Sequence, residues 1–374
     1  ARMQGIMTQK HVTLDEIGRR IAIGSFNFDL APVIIVAFFT ALLVMGTKIG
    51  ARVDGALTIL KIAIVVFIVV VGFFYIKAEN FTPFIPPSEP AASTDGSGVS
   101  AVMEQPLWQW ATGMAPSIYG VTGIISGAAL VFFAFLGFDV VATASEETIN
   151  PKKNVPLGIG VGLGLIIVLY TLVAIVTTGM VSYKDLAKQS DPSLAVAFKM
   201  VGADWAAKII SLGIVIGMAT VVMVLLLGLT RVVFAMSRDG LLPRGLSHTG
   251  KHGTPVRLQI IVGVVMALIA ACCNVGILSD MVNIGTLSAF TLVAISIPIM
   301  RKKRPDLERS FKIPGNPWVP ILIALANLWL MVNLSVLTWI RFVVWLIVGF
   351  AIYFGYGYRH ARLGAGELEV AAQE

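Results

Sequence analysis

Two ionisable side chains lie inside long apolar segments of the chain, and each could do chemistry there. Lys61 lies about five residues inside the apolar stretch 56–76, and Asp139 lies deep in the second half of the stretch 121–143. Charges are costly in a bilayer core, so such residues are functional candidates. Lys61 either extends its ammonium to the membrane surface or loses and regains a proton while buried. Asp139 either caps a helix end or pairs directly with a cationic ligand.

Glycines interrupt the stretch that contains Asp139, at positions 123, 127 and 137. Glycine weakens a helix, so the chain could open near 134–137 and present bare carbonyl and amide groups. Within a membrane, such an opening is tolerated only where it is buried in protein or lines a wet cavity. Broken helices of this kind hold charged solutes in many secondary transporters. Close packing of helices through small residues explains the glycines equally well.

These residues are carried by a chain whose composition is typical of a membrane protein. Hydrophobic residues make up 57% of the 374 positions and charged residues only 13%. Soluble domains average about 45–50% apolar and about 25% charged residues. The net charge of +7 comes from Lys and Arg in short loops, which indicates membrane orientation rather than nucleic-acid binding. We expect no metal, no cofactor and no catalytic activity, because no ligand spacing, nucleotide motif or catalytic cluster is present.

The apolar segments predict an all-α polytopic membrane protein. A bilayer core needs about 20 apolar residues per helix. Basic residues are denser in the loops that follow alternate spans, which places those loops and the C-terminus in the cytoplasm. Nine spans are predicted, at 30–47, 56–76, 121–143, 157–181, 206–236, 258–278, 281–300, 317–338 and 342–358. The last two are expected to form a tight hairpin around Trp339, Ile340 and Arg341.

Four stretches of the sequence form a recognisable set, namely FFAFLGFDVVATASEETINPKKNVPLGI (132–159), TRVVFAMSRDGLLP (230–243), VNIGTLSAF (282–290) and ARVDGALTILKIAIVV (51–66). Together they resemble bacterial cationic amino acid transporters of the amino acid–polyamine–organocation superfamily. The resemblance implies a transporter fold of five-plus-five inverted repeats. It also implies helices four to twelve of twelve, with three spans expected upstream of a truncated N-terminus.

This resemblance divides the chain into seven segments. We expect an extramembrane segment (1–29), the last two helices of the first repeat (30–76), an external loop (77–120), the second repeat (121–300), a basic cytoplasmic loop (301–316), a helical hairpin (317–358) and a cytoplasmic tail (359–374).

The resemblance also implies roles for individual residues. Backbone groups of Phe133, Ala134 and Leu136, with Gly137 at the opening, are expected to bind the substrate α-amino group. Lys61 matches a lysine that replaces sodium in related transporters, and Thr220 is expected near that proton-coupling site. For Thr220 a hydrogen bond to its own helix is the plainer alternative.

Together these features predict a secondary active permease in the plasma membrane. It would carry cationic or broad-range L-amino acids by alternating access, coupled to protons. The partners are the amino acid, the proton and the lipid bilayer, without nucleic acid. A channel or a structural membrane subunit is the alternative.

Overall fold

The architecture is described from a computed structural model of the chain. The described residues are 13–14, 20–23, 26–44, 47–90, 102–114, 117–143, 148–189, 192–248, 255–273, 275–306, 309 and 311–361. Within them the chain is helical, apart from one three-stranded and one two-stranded antiparallel sheet.

The helices follow the apolar segments of the sequence closely. The long or apolar helices are α1 (Leu30–Val44), α2 (Thr47–Phe73), α4 (Gly120–Val131), α6 (Pro151–Met180), α9 (Asp204–Arg238), α10 (Val256–Cys272), α11 (Val275–Lys303), α12 (Trp318–Val332) and α13 (Val336–Ile352). Shorter helices are α3 (Leu107–Thr112), α5 (Phe138–Thr143), α7 (Tyr183–Ala187), α8 (Leu194–Met200) and α14 (Tyr358–His360), with a π-helix at Tyr353–Gly357. The strands are β1 (Thr13–Leu14), β2 (Arg20–Ile23), β3 (Phe26–Asp29), β4 (Glu89–Pro90) and β5 (Ser117–Ile118).

Five of these helices, counted among the described residues, are long and apolar enough to cross a membrane. Only 6% of the most apolar part of α6 is buried inside the protein, so most of its apolar surface faces outward. Water would make that exposure costly, whereas lipid does not. The chain is therefore an all-α polytopic membrane protein. Four further apolar helices of 10–17 residues accompany the five, and the count of nine spans and their division into repeats stay predictions.

The chain divides into two compact units. Unit 1 comprises residues 1–59, 215–275 and 353–374, and unit 2 comprises residues 60–214 and 276–352. In unit 1, α1 packs along α10. The core of this unit is formed by Val36, Phe39 and Leu43 of α1 with Met223 and Leu226 of α9.

Unit 2 has a core in which α2, α6, α8 and the first part of α9 meet. Phe198 is its largest fully buried side chain and packs among Ile68, Val176, Met180 and Ile210. Gly72 makes this packing possible, because an added Cβ would overlap Val176 and would lie 2.8 Å from the Met180 sulfur.

We expect Gly72→Val to destabilise the protein by about 1–3 kcal/mol, because a well-packed core cannot accept the added carbons without distortion. The unfolding temperature of the detergent-solubilised protein would measure the change. Gly55→Val in the same helix is the matched control, since nothing lies within 4 Å of a Cβ there. Equal unfolding temperatures for the two variants would contradict the packing described for Gly72.

A second core in unit 2 supports the glycine-interrupted segment. Ala129 of α4 packs with Ile284 and Leu287 of α11 and with Met331 and Leu334 at the end of α12. All five side chains are at most 4% exposed. The last turn of α4 is therefore held between two other helices.

A short helix in the predicted external loop packs on the helical hairpin. This helix, α3, contacts the turn between α12 and α13, since the Leu107 amide donates to the Leu334 carbonyl at 3.0 Å. Beside it, the Trp108 indole N–H donates to the Asn333 side-chain oxygen at 2.9 Å. These bonds hold α3 against the helical hairpin.

The same loop also contacts α7 through an ion pair. Lys184 Nζ lies 2.7 Å from the Glu89 carboxylate, and both side chains are exposed. The hydrogen bond that Lys184 donates to this carboxylate, followed by the carboxylate's negative charge, raises the pKa of Lys184 above its ordinary value.

The predicted position of the turn within the helical hairpin is wrong. Trp339, Ile340 and Arg341 lie within α13, and the turn falls at 333–335. Ser335 Oγ accepts the Thr338 amide at 3.2 Å, which is the hydrogen bond of a helix N-cap. The turn therefore forms at Ser335, which caps the first turn of α13, and Arg341 lies inside that helix.

Candidate functional site

The candidate site is an interruption between α4 and α5. After α4 the chain tightens into a 3₁₀ turn at Phe132–Phe135, and Leu136 is extended with φ −63° and ψ 145°. Gly137 follows with φ +112°, and α5 begins at Phe138. The structure thus contains the helix break that the glycines predict at this position.

The backbone of the break contains two short-range hydrogen bonds. The Leu136 amide donates to the Phe133 carbonyl at 3.2 Å, and the Val140 amide donates to the Gly137 carbonyl at 3.1 Å. Each carbonyl oxygen has two lone pairs, so a bonded one still has room for a second donor. An ammonium group offers three donors and suits such a cluster of acceptors.

Two side chains from other helices reach the break. The Tyr170 hydroxyl of α6 donates to the Ala134 carbonyl at 3.0 Å. The Asn283 side-chain nitrogen of α11 donates to the Leu130 carbonyl at 3.2 Å. Asn283 is fully buried, and its side-chain oxygen has no hydrogen-bond partner among the described residues.

Aromatic rings surround these polar groups. Phe290 of α11 packs against Phe132 and Phe138, with ring centroids 6.2 Å and 5.2 Å apart. Phe135 makes an edge-to-face contact with Tyr170 at 5.2 Å. The break therefore places backbone carbonyls beside aromatic rings, in a part of unit 2 where Phe133 is 47% and Tyr170 is 40% exposed.

The other residues singled out in the sequence lie elsewhere. Lys61 is half-buried and lies near the middle of the 27-residue helix α2, in unit 2. Thr220 is fully buried in unit 1, and its hydroxyl donates to the Gly217 carbonyl of its own helix at 2.8 Å. This bond is the plainer of the two alternatives for Thr220, and its pairing with Lys61 stays a prediction. Asp139 belongs to α5, and its side chain lies outside the described part of the chain.

Sequence reasoning missed two residues of the site. Asn283 stands in VNIGTLSAF, and Tyr170 stands in an apolar helix that showed no other signal. An amide inside an apolar segment was the available signal for Asn283, because buried polar side chains require partners. Tyr170 could not be distinguished from an ordinary aromatic residue of a membrane helix.

We expect Tyr170→Phe to weaken substrate binding about threefold to tenfold, because a hydrogen bond of about 0.5–1.5 kcal/mol that fixes the Ala134 carbonyl is lost. The apparent KM for uptake is the measurement. Tyr358→Phe, at an exposed tyrosine of α14, removes an equivalent hydroxyl and serves as the control. An unchanged KM in Tyr170→Phe would show that this hydroxyl does not position the break.

A broken helix held by neighbouring helices in an all-α membrane protein is a feature found in many secondary transporters. The amino acid permease family matches residues 26–355, and the chain belongs to this family.

Individual relatives agree with this family. The chain is 40% identical to the branched-chain amino acid permease BcaP of Bacillus subtilis, over 91% of the chain and 66% of that protein. It is also 40% identical to the methylthioribose transporter of Bacillus subtilis, over 90% of the chain and 66% of the relative. Identity to the cationic amino acid transporter 3 of Arabidopsis thaliana is 34%, over 75% of the chain and 42% of that protein. The chain thus spans just under two thirds of the length of the two bacterial relatives.

Proposed function

We propose that the protein is a secondary active transporter that moves L-amino acids across the plasma membrane by alternating access. The broken helix between α4 and α5 is the observation that carries this proposal. It supplies backbone acceptors at Phe133, Ala134 and Leu136 for the substrate ammonium, and Gly137 permits the opening. Membership in the amino acid permease family supports the same reading.

We further propose that the preferred substrates have apolar side chains. The rings described around the break belong to Phe132, Phe135, Phe138, Tyr170 and Phe290, and they offer an apolar side chain favourable contacts. The sequence identity of 40% to a branched-chain amino acid permease agrees with this preference. Cationic amino acids are the second candidate class, supported by the similarity to cationic amino acid transporters.

The proposed coupling ion is the proton, with Lys61 as the group that binds and releases it. The proposed orientation puts the C-terminus in the cytoplasm, in agreement with the basic residues around 301–312. A reporter domain fused to the C-terminus, active only in the cytoplasm, would test this orientation.

Counterflow in liposomes tests the transport proposal directly. The whole gene product would be reconstituted with unlabelled leucine inside and a trace of labelled leucine outside. A carrier accumulates the label transiently above equilibrium, because the same site carries labelled leucine in and unlabelled leucine out. A channel or a structural subunit shows no such overshoot, and its absence for every substrate tried would reject the proposal.

Competition in the same assay identifies the substrate class. Isoleucine and valine should suppress the leucine overshoot more strongly than arginine, lysine or methylthioribose at equal concentration. Stronger suppression by arginine and lysine would reject the apolar preference in favour of the cationic class.

A further inference from the structure

Unit 2 contains a cavity whose lining residues do not include those of the helix break. Its volume is about 530 Å³, and it is formed by the end of α2 with the following turn, the end of α6, the start of α7 and the end of α8. Small-molecule sites commonly have volumes of about 300–1,000 Å³. The cavity is therefore large enough for a ligand of amino-acid size.

The walls of this cavity carry one charge of each sign. Lys77 follows α2, and Asp185 lies in α7, and both line the cavity with exposed side chains. Asp185 also forms an exposed ion pair with Lys188 at 3.0 Å. Surface pairs of this type contribute little to stability, so Asp185 remains available to a ligand ammonium.

The turn that presents Lys77 is fixed in place. The Lys77 amide and the Asn80 side-chain nitrogen both donate to the Gly179 carbonyl near the end of α6, at 2.9 Å and 2.7 Å. Because two donors share this one acceptor, the turn and the end of α6 form a single wall. Asn80 lines the cavity itself.

Apolar side chains also contribute to the wall, although polar groups supply more of its accessible surface. Met180 and Val181 are buried, and Phe74 and Met200 also line the cavity. A ligand that fits this combination has an ammonium, an acidic group and an apolar portion.

We propose that this cavity binds a small zwitterion, whose acidic group pairs with Lys77 and whose ammonium pairs with Asp185. Two sources offer this chemistry, namely a free amino acid and the headgroup of an aminophospholipid. The amino-acid source rests on the proposed function, since the cavity would then bind the transported substrate at a second site.

Equilibrium binding of labelled leucine to the purified whole gene product tests the amino-acid source. The assay is best run on a Gly137→Ala background, in which binding at the helix break is expected to be impaired. Thermal protection by phosphatidylethanolamine, compared with phosphatidylglycerol, tests the lipid source. Each ligand is measured with Lys77→Gln, with Asp185→Asn and with the two combined.

We expect each single substitution to weaken binding of one of the two ligands about fivefold, as the loss of a partly screened charge pair would. The combined variant should lose detectable binding of that ligand. Lys208→Gln and Asp204→Asn are matched controls, because both side chains are exposed on α9 and neither lines the cavity. The responding ligand, leucine or phosphatidylethanolamine, identifies the source.

The proposal is overturned if neither ligand responds to Lys77→Gln or Asp185→Asn, or if the controls weaken binding equally. Its failure is distinguishable from failure of the transport proposal, because binding is measured without uptake. Binding that depends on Lys77 and Asp185 without counterflow would leave the cavity in place and reject transport. Counterflow together with binding that is unchanged by Lys77→Gln and Asp185→Asn would support transport and reject the cavity proposal.

Discussion

Gly137→Ala is expected to reduce amino acid uptake at least about tenfold. Gly137 has φ +112°, a conformation that costs an L-residue about 1–3 kcal/mol. An added Cβ meets no atom within 4 Å, so the cost arises from the backbone alone. The chain can relieve it only by rotating the peptides on either side, which moves the Leu136 carbonyl away from its position at the break. Initial rates in liposomes, normalised to the amount of folded protein, are the measurement.

Gly127→Ala provides a closely matched control for this result. Gly127 lies in α4, a Cβ there also meets nothing within 4 Å, and alanine favours a regular helix. The same chemical change should therefore leave uptake near that of the unmodified protein. Normal uptake by Gly137→Ala would show that the break is not part of the substrate site.

Lys61→Ala is expected to abolish the response of uptake to a proton gradient while preserving counterflow. Lys61 lies six residues, about 9 Å at 1.5 Å per residue, inside the apolar span Gly55–Phe73. A charge within a span is costly, by about 2.5–3.5 kcal/mol at the bilayer centre on insertion scales, so an ionisable residue there is a functional candidate. Leucine uptake with and without an acidic exterior is the measurement.

Lys208→Ala is the control for Lys61→Ala, because Lys208 is an exposed lysine in the first turns of α9. It should retain the full stimulation by external acid. If Lys61→Ala also retains it, the ammonium of Lys61 serves only to anchor α2 at the membrane surface.

The glycine pattern predicted a helix break near 134–137, but close helix packing explained the same glycines equally well. Gly123 and Gly127 lie in regular helix, and only Gly137 of the three has a positive φ. Glycine spacing is the same signal for close packing and for unusual backbone conformation. What decides between them here is the set of helices around the segment, including the core at Ala129 and Ile284.

Contacts between distant segments were the part that the sequence could not predict. The bond from Tyr170 to Ala134 joins residues 36 positions apart, and that from Asn283 to Leu130 joins residues 153 apart. Hydropathy and periodicity describe one segment at a time, so they located the long apolar helices but not the partners of each helix. The hairpin turn lies at Ser335 and not at Trp339–Arg341, because Ser335 caps α13 while Arg341 lies within that helix.

The bond between Trp108 and Asn333 has a consequence for how the protein is made. Its two residues are 225 positions apart, and at about 5–20 residues per second the ribosome needs about 11–45 s to add the second after the first. During that interval α3 lacks its contact with the hairpin. Nascent chains arrested before Asn333 should thus expose the 102–114 region to proteases that the finished protein resists.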